Sequence, residues 1–416
     1  MADPSPRDIR ARCCIVGGGP AGMMLGLLLA RAGIDTVVLE KHADFLRDFR
    51  GDTIHPSTLE VMAELGLLEA FLARPHDELR QITGQIGDDS VVVADFSHLP
   101  TRCKFIAFMP QWHFLDFLAE VAERLPAFRL LRETEAETLL RADGRVAGVG
   151  ARDTAGALTL RADLVIACDG RHSTLRRAAG LKSRDLGAPI DVLWLRLSKR
   201  PQDAGRTLGR FLDGRILVML DRGDYWQCAF VIHKGGFDAL KAQGIAHFRA
   251  ELAAMVPVLA DRAGEIGSWD QVKLLTVAVD RLEQWYQPGL LLIGDAAHAM
   301  SPIGGIGINL AIQDAVAAAN ILVPWLARAP GPVPETPLAQ IQRRRLLPTR
   351  LTQALQVAIQ DRVISRVLES KGTLRLPAAL RLLQRFPALR RIPARILGMG
   401  FRPEHVRDAS APSPLR

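Results

Sequence analysis

Two styles of hydrophobic patterning run along the chain, and the first consists of short, continuously apolar stretches. Residues 11–16 (ARCCIV) form such a stretch; a glycine-rich turn and an apolar helix over 17–33 follow, and residues 34–40 (IDTVVLE) form the next stretch. Strand, turn, helix and strand at this spacing predict a parallel sheet buried on both faces. The runs 162–170 (ADLVIACDG) and 290–295 (LLLIGD) have the same character. We therefore expect one parallel sheet assembled from distant parts of the chain.

Amphipathic and alternating patterns fill the space between these apolar strands. A helix is predicted over 57–73, where Ser57 as N-cap and Glu60 three residues later match a capping box. Residues 129–170 are expected to form an antiparallel meander, because short apolar runs flank the hairpin turn signal Asp-Gly at 143–144.

The second style is an alternation of apolar and polar residues, which begins at about Leu181 and is typical of an antiparallel sheet with one covered face. Tight turns such as Arg222-Gly223 separate its strands, and a helix over 245–256 follows. A proline-rich linker at 327–337 then leads into a helical, arginine-rich part. Together the patterns predict an α/β fold: a Rossmann-like parallel-sheet domain, an inserted antiparallel-sheet domain and a helical C-terminal part.

The length of 416 residues is enough for more than one domain, and 48% hydrophobic with 24% charged residues is ordinary for a globular protein. The expected boundaries divide the chain into six segments of three units. The parallel-sheet domain is expected to take 1–74, 106–180 and 273–330, the antiparallel-sheet domain 75–105 and 181–272, and the basic helical C-terminal region 331–416.

The cysteines and the apolar segments bear on the compartment. Cys13 and Cys14 are adjacent in an apolar strand, where a disulfide framework is implausible, so we expect a reduced, cytoplasmic protein. No apolar stretch precedes the first strand, and no window reaches the roughly 18 uninterrupted apolar residues of a membrane span. The histidines show no metal-ligand spacing, so we predict no metal site.

The net charge of +8 is unevenly distributed, because residues 337–416 hold 16 Lys and Arg against 4 Asp and Glu. Nucleic-acid binding is not expected, since no binding motif is present and few aromatic residues lie among the arginines. A solvated helical face with ion pairs to the acidic remainder is the preferred interpretation. Peripheral membrane contact through this region stays open as the second.

The first glycine-rich loop has the spacing of a dinucleotide fingerprint directly after a strand. Its first glycine permits a tight turn, the second a close approach of pyrophosphate, and the third close packing of helix and strand. The acidic residue that ends the next strand is placed to bind ribose hydroxyls, and the loop fits either NAD or FAD. The candidate residues of this half-site are Gly17, Gly19, Pro20, Ala21, Gly22, Glu40 and Lys41.

Two further apolar strands end in a carboxylate, at Asp169-Gly170 and at Gly294-Asp295. A strand-end carboxylate can accept hydrogen bonds from a sugar, although Asp169 followed by Arg171 also fits a simple ion pair. A second glycine-rich turn then opens a helix, whose N-terminal amides stabilise negative charge. The candidates of this turn are Pro302, Gly304, Gly305, Gly307, Ile308 and Asn309.

The stretches GGGPAG, CDGRHS and GDAAHAMSPIGGIGIN, in this order, resemble those of the aromatic-hydroxylase group of FAD-dependent monooxygenases, the 4-hydroxybenzoate hydroxylase-like flavoproteins. The resemblance covers roughly residues 10–325. It implies a glutathione-reductase-type FAD-binding domain, with the antiparallel sheet as the substrate domain. Where the family often has Gly-Gln-Gly, this chain has Gly305-Ile306-Gly307.

The resemblance also implies roles for particular residues. Asp295 would bind the ribityl chain of FAD, the second glycine turn would face the flavin pyrimidine, and Asp169-Gly170 would lie near the pyrophosphate and the NAD(P)H site. Arg50 would meet the cofactor near its pyrophosphate. Gln111, at the start of a predicted helix, would hydrogen-bond the flavin side chain.

The activity that the resemblance implies is hydroxylation of an aromatic or other electron-rich small molecule. In the family, NADH or NADPH reduces FAD, O2 adds to form a flavin hydroperoxide, and the protein orients the substrate and excludes water. The acid/base candidates are His55 and Tyr225, while His298 is expected to support its loop.

Several related activities remain as alternatives at this stage. A halogenase of the same superfamily would carry a W-x-W-x-I-P signature, which is absent. A flavin-dependent reductase, a ubiquinone-pathway hydroxylase and a non-enzymatic flavoprotein sensor share the flavin-binding motifs. The oligomeric state is not predicted.

Overall fold

The computed structural model describes residues 7–46, 53–87, 89–203, 208–212, 214–328, 330–370, 372, 374 and 376–407. The strands within these residues form four sheets, two of them large. In chain order they are β1 Arg7–Val16, β2 Thr36–Leu39, β3 Thr53–Ile54, β4 Asp77–Leu79, β5 Gln81–Ile86, β6 Asp89–Asp95, β7 Ile106–Phe108, β8 Phe128–Leu131, β9 Glu135–Ala142, β10 Arg145–Asp153, β11 Gly156–Ala167, β12 Ser183–Asp185, β13 Ile190–Ser198, β14 Leu208–Leu212, β15 Arg215–Asp221, β16 Tyr225–His233, β17 Lys273–Leu275, β18 Asp280–Leu282, β19 Tyr286–Gln287 and β20 Leu290–Leu292.

The α-helices range from a single turn to seven turns, and short 3-10 turns connect several of them. In chain order they are α1 Pro20–Arg31, α2 Pro56–Glu64, α3 Leu68–Leu72, α4 Gln111–Ala122, α5 Thr174–Ala178, α6 Phe237–Ala242, α7 Ile245–Met255, α8 Gly307–Leu326, α9 Glu335–Ile359, α10 Ser365–Glu369, α11 Ala378–Arg385 and α12 Arg391–Met399.

The first large sheet has the order β19-β20-β11-β1-β2-β8, with β10 and β9 attached beside β11. β1 pairs in parallel with both β2 and β11, and β11 pairs in parallel with β20. This confirms the α/β fold with a parallel sheet built from distant segments. The predicted meander over 129–170 is wrong in its first part, because β8 pairs in parallel with β2, whereas β9, β10 and β11 are antiparallel.

Three apolar helices cover this sheet, and α1 packs against both α4 and α8. The helical segment Ile303–Leu326, which includes α8, is the one described segment that is long and apolar enough to cross a membrane, with a mean hydropathy of 1.6. However, 78% of its most apolar window is buried inside the protein, as is usual for a core helix.

The second large sheet has the order β17-β13-β16-β15-β14-β5-β6 and is antiparallel apart from the β14–β5 pair. Its outer face packs against α7 through Phe230 and Phe248. The expectation of one covered face is wrong, because Val192 and Val231 on the opposite face pack against Ile364 of the C-terminal region.

Two local predictions need correction. The capping box at Ser57 does not form: α2 begins at Pro56, and His55 is its N-cap in an extended conformation. Proline suits the first helical position and disfavours helical backbone in the residue before it. The predicted 57–73 helix is also two helices, with Gly66 at φ 72° between them.

The expected domain boundaries stay predictions, with one difference at residue 273. β17, which the prediction assigned to the parallel-sheet domain, pairs with β13 in the other large sheet. The second-sheet strands β5 and β6 come from the segment 75–105 that was expected to join it.

The C-terminal region packs on both large units rather than extending away. α9 lies against α8, while α10 contacts β15 and α12 contacts β6. Its arginines differ in environment: Arg345 is 1% exposed, whereas Arg381 and Arg385 are exposed on α11. The interpretation of the basic region as a solvated helical face with ion pairs therefore holds only in part. Peripheral membrane contact through this region stays a prediction. All five cysteines are free and buried.

Candidate functional site: the carboxyl edge of the parallel sheet

The three carboxyl-terminal loops that the sequence singled out meet at one edge of the parallel sheet. β1, β11 and β20 are neighbours, and parallel strands end on the same side. The backbone continues the pairing into the loops, since Cys168 N donates to Val16 O at 2.7 Å and Ile293 N to Ala167 O at 3.1 Å. The edge therefore brings the first glycine loop, Asp169 and Asp295 into one crevice wall.

The first glycine loop is shaped by contacts that only glycine tolerates at two of its positions. Gly17 has φ 107°, and a Cβ there would lie 2.4 Å from Cys168 O; a Cβ on Gly22 would lie 2.0 Å from Gly17 O. A Cβ on Gly19, by contrast, would meet no atom within 4 Å. The space in front of Gly19 lies at the N-terminus of α1, which favours a phosphate group.

Glu40 lies behind this loop at the end of β2 and is 8% exposed. Its Oε2 accepts from Gly18 N and its Oε1 from His42 N, both at 3.0 Å. Glu40 thus braces the glycine loop, a role that the sequence prediction of ribose binding did not include. Lys41 is exposed in the bend that follows.

Asp169 lies at the same edge, and only one of its two carboxylate oxygens accepts a hydrogen bond from a described residue. Its Oδ2 accepts from Leu175 N at 3.1 Å, and Ser173 caps α5 as predicted, accepting from Arg176 N at 2.9 Å. The Oδ1 atom is buried without a hydrogen-bond partner among the described residues. Burial raises the pKa of Asp169. A buried acceptor without a donor fits a ligand hydroxyl or N–H that completes the site. Gly170, with φ 81°, leaves open space beside it.

Asp295 follows β20 in a short 3-10 turn that starts at Gly294, whose φ is 60°. The Asp295 side chain is half-buried, and its carboxylate makes no hydrogen bond or ion pair to another described residue. The carboxylate is therefore available to sugar-type hydroxyls, which are the groups on a ribityl chain.

The second glycine turn lies between Pro302 and the start of α8. Gly304 and Gly305 both have positive φ, and a Cβ on Gly305 would lie 2.2 Å from Thr53 Oγ1. The amides of Gly307, Ile308 and Asn309 occupy the first turn of α8, where no earlier helical carbonyl is available to accept from them. These N–H groups and the helix dipole favour an electron-rich group.

Taken together, these residues fit FAD: open space at a helix N-terminus for pyrophosphate, the unpaired Oδ1 of Asp169 and the Asp295 carboxylate as acceptors, and a second helix N-terminus. Known proteins agree with that geometry. A family model described as FAD binding domain matches residues 10–332. Over 399 residues the chain is 34% identical to a 6-methylpretetramide 4-monooxygenase from Streptomyces rimosus, which covers 95% of this chain and 93% of that protein. The chain belongs to the FAD-dependent aromatic monooxygenases.

One further relative and one solved structure are also similar to the chain. A rifampicin monooxygenase from Streptomyces venezuelae is 31% identical over 316 residues, 72% of this chain but 61% of that longer protein. The structure of p-nitrophenol 4-monooxygenase from Pseudomonas putida superposes with a TM-score of 0.77, covering 95% of this chain and 100% of that one at 21% identity. The latter likeness establishes the fold alone.

In this monooxygenase the Asn309 side chain is fully used inside the protein. Its Oδ1 accepts from His55 N and Thr58 Oγ1, both at 2.8 Å, while its Nδ2 donates to Thr53 O at 3.1 Å and Gly305 O at 3.3 Å. Only its backbone amide is left for FAD. The side chain instead ties the start of α2 to the glycine turn, which no local sequence signal indicated.

The acid/base candidate His55 is completely buried. Its Nδ1 lies 2.7 Å from Leu397 O, and a carbonyl can only accept, so Nδ1 carries the proton. Burial lowers the pKa of His55 to about 4, opposed by the Leu397 hydrogen bond. The imidazole is therefore neutral at pH 7, with a buried Nε2 that has no partner among the described residues. Such a group is poorly suited to carry a proton at neutral pH.

The other predicted residues have varied surroundings. Tyr225 begins β16 at the hairpin end, half-buried, with the Arg196 guanidinium 3.6 Å from its ring centroid. Gln111 is the first residue of α4, as predicted, and is half-buried. Arg50 lies outside the described residues. Among those described, no group of three or more His, Cys, Asp or Glu could hold a metal ion.

A buried ion cluster next to the carboxyl edge of the parallel sheet was not predicted from the sequence. Asp314 of α8 is 0% exposed; its Oδ2 lies 2.6 Å from His298 Nε2, and its Oδ1 accepts from Arg345 Nε at 2.8 Å. Although burial alone would raise it, His298 and Arg345 hold the pKa of Asp314 below its usual value. His298 thus supports its loop, as expected. An Asp within the alanine-rich stretch 311–319 was the available signal.

Proposed function

We propose that this monooxygenase uses NADH or NADPH together with O2 to hydroxylate a fused-ring aromatic compound of the pretetramide kind. The observation that carries the proposal is the near full-length likeness to 6-methylpretetramide 4-monooxygenase, at 34% identity. When bound, FAD supplies the oxygen-activating redox chemistry that amino-acid side chains lack. The residues of the chain are left with binding, orientation and exclusion of water.

The cofactor-facing residues divide these tasks. Asp295 and the free Oδ1 of Asp169 would accept from hydroxyl or N–H groups of FAD, with the Gly19 space taking the pyrophosphate. The amides at the start of α8 would stabilise negative charge on the reduced ring system. His55 would stay neutral and hold its proton on Nδ1 toward Leu397 O. We therefore do not assign it a proton transfer with substrate.

The proposal of an aromatic substrate is supported by the apolar surroundings of the second glycine turn, where one face of the second sheet meets Ile364 of the C-terminal region. Ile303 of the second glycine turn packs in one cluster with Val192, Ala229 and Val231 of that sheet. Trp194, which is half-buried, contacts the same cluster. A flat ring system between this face and the flavin edge would bury apolar area and be kept from water, which is what aromatic hydroxylation needs.

The decisive test is anaerobic stopped-flow reduction of the bound flavin by NADH and by NADPH, with 6-methylpretetramide, simple phenols, quinones and isoprenoids as added compounds. We expect one fused-ring aromatic compound to accelerate reduction strongly. Product formed under 18O2 should then carry one labelled oxygen. Reduction that stays slow with every aromatic compound, or a product without label, would contradict the proposal; acceleration by an isoprenoid that is then reduced would indicate the reductase alternative.

A matched pair of variants tests the location of the substrate. Ala229→Leu narrows the sheet face at a residue that is 6% exposed, whereas Ala254→Leu makes the same change on the exposed side of α7. We expect the first to raise KM for the aromatic substrate while FAD stays bound, and the second to change neither. Equal KM values for the two variants would place the substrate elsewhere.

A further inference from the structure

A continuous chain of buried polar contacts links the C-terminal segment to the loop that carries Asp295. Glu404 is 4% exposed and accepts from Arg344, at 2.7 Å to Nε and 3.0 Å to Nη2, and from Arg345 Nη1 at 3.4 Å. Arg345 Nε donates in turn to Asp314 Oδ1 at 2.8 Å. Asp314 Oδ2 accepts from Gly294 N at 3.1 Å.

The last of these contacts fixes the N–H of Gly294, the residue immediately before Asp295. The carbonyl of Gly294 is held as well, since it accepts from Ala297 N and His298 N, both at 2.9 Å. With both its N–H and its carbonyl engaged, Gly294 has little freedom to turn, so the backbone from which the Asp295 side chain extends is held in place. Asp314 stands on α8, so the same residue connects this loop to the helix whose N-terminus faces the flavin.

The segment 397–407, here called the C-terminal strap, anchors the far end of the chain of contacts. Glu64 of α2 accepts from Val406 N at 2.8 Å. Asn320 of α8 donates to His405 O at 2.8 Å and accepts from Arg407 N at 3.0 Å. Gln313 accepts from Glu404 N. The strap is therefore fastened to two helices of the flavin domain.

We infer that Asp314 and Arg345 are positioning residues for FAD, and that the C-terminal strap, through Glu404, sets how tightly the protein holds the cofactor. Arg345 is 1% exposed and Asp314 is 0% exposed, so removing either one takes from the other a charged partner that water does not replace. Their pairing keeps an ionised acceptor on Gly294 N. The inference concerns FAD binding only and does not depend on the identity of the reductant or the substrate.

The test is a titration of apoprotein with FAD, in which the quenching of flavin fluorescence reports binding, for the full chain and three variants. Asp314→Asn keeps the size of the side chain but removes the charge, and we expect it to raise the Kd for FAD at least about tenfold, the effect of losing one charge-assisted hydrogen bond. Arg345→Lys keeps the charge opposite Asp314 and should therefore weaken FAD binding less than Asp314→Asn does. Glu404→Gln, one step further away, should weaken binding less than Asp314→Asn.

A matched control comes from a second buried Arg–Asp pair, which lies in loops at the end of β13 in the other large sheet. Arg262 and Asp203 are 2% and 5% exposed and pair directly with each other. Asp203→Asn makes the same chemical change and should cost thermal stability without changing the Kd for FAD. If Asp203→Asn weakened FAD binding as much as Asp314→Asn, or if Asp314→Asn bound FAD as wild type does, the positioning role would be wrong.

If Asp314→Asn does not fold, the variant Glu404→Gln still tests the role of the C-terminal strap. Glu404→Gln leaves Asp314 paired with both Arg345 and His298, so it perturbs the strap alone. A measurable rise in its Kd for FAD, with wild-type affinity in Asp203→Asn, supports the strap's role. Wild-type affinity in Glu404→Gln overturns it.

Discussion

Two alanine substitutions three residues apart in the first glycine loop should differ strongly in their effect on the stability of the apoprotein. Gly19 has φ −76° and ψ −175°, which alanine adopts freely, and its Cβ would meet no protein atom within 4 Å. We expect Gly19→Ala to change the free energy of unfolding by no more than about 0.5 kcal/mol. In Gly22→Ala the new Cβ would lie 2.0 Å from Gly17 O and 3.2 Å from Ile15 Cγ2. Helix and strand must then separate, which costs about 3 kcal/mol, the upper end for overpacking.

FAD affinity should separate the two variants in a second way. The open space at Gly19 is where pyrophosphate would approach the backbone, so a methyl group there should cost about 2 kcal/mol of binding, or about thirtyfold in Kd. The assay pairs urea unfolding of the apoprotein with FAD titration of the same preparation. The reasoning fails if Gly19→Ala destabilises the apoprotein as much as Gly22→Ala, or if Gly19→Ala binds FAD with wild-type affinity.

Three other predictions follow from single contacts. The pKa of His55 is about 4 in the folded protein and ordinarily 6.5, so the unfolded chain binds more protons between these pH values, and the free energy of unfolding decreases as the pH falls. His55→Asn removes this titration, and the decrease between pH 7 and pH 4.5, measured by urea unfolding, should become about 2.5 kcal/mol smaller. Asp295→Ala should raise the Kd for FAD about tenfold while apoprotein stability stays within about 0.5 kcal/mol of wild type; a large loss of stability would contradict the free carboxylate. Ser173→Ala should lower the free energy of unfolding by about 1 kcal/mol through the lost cap on Arg176 N, whereas an unchanged value would show that the cap is dispensable.

The shape of the first glycine loop was largely predictable because its requirements are local. Gly17 and Gly22 are dictated by contacts within one strand–turn–helix unit, and the apolar runs around them mark the strands without reference to the rest of the chain. The 143–144 hairpin is similar, since Asp143 and Gly144 both adopt positive φ in the structure. Where geometry is set within a few residues, sequence patterns are sufficient.

The features that were predicted wrongly or not at all have a different cause. Either two local sequence signals compete, or the deciding contact joins residues that are far apart in the sequence. Ser57 and Glu60 match a capping box, but Pro56 fits the first helical position and excludes it. Arg345 looked like one of many tail arginines, yet it reaches Asp314, 31 residues earlier, on another helix. β8 is four residues long, and its parallel partner β2 is set by tertiary packing rather than by the pattern of β8 itself.

The order of strands in the parallel sheet has a consequence for how the protein is made. β1 sits between β2 and β11, but β11 begins at residue 156, so a ribosome that adds roughly 5–20 residues per second delivers it about 7–28 s after β1. During that interval the central strand of the sheet has one unpaired edge on the nascent chain. β20 and the start of α8 arrive later still. FAD therefore has no complete site until more than 300 residues have emerged, so its insertion comes late in synthesis.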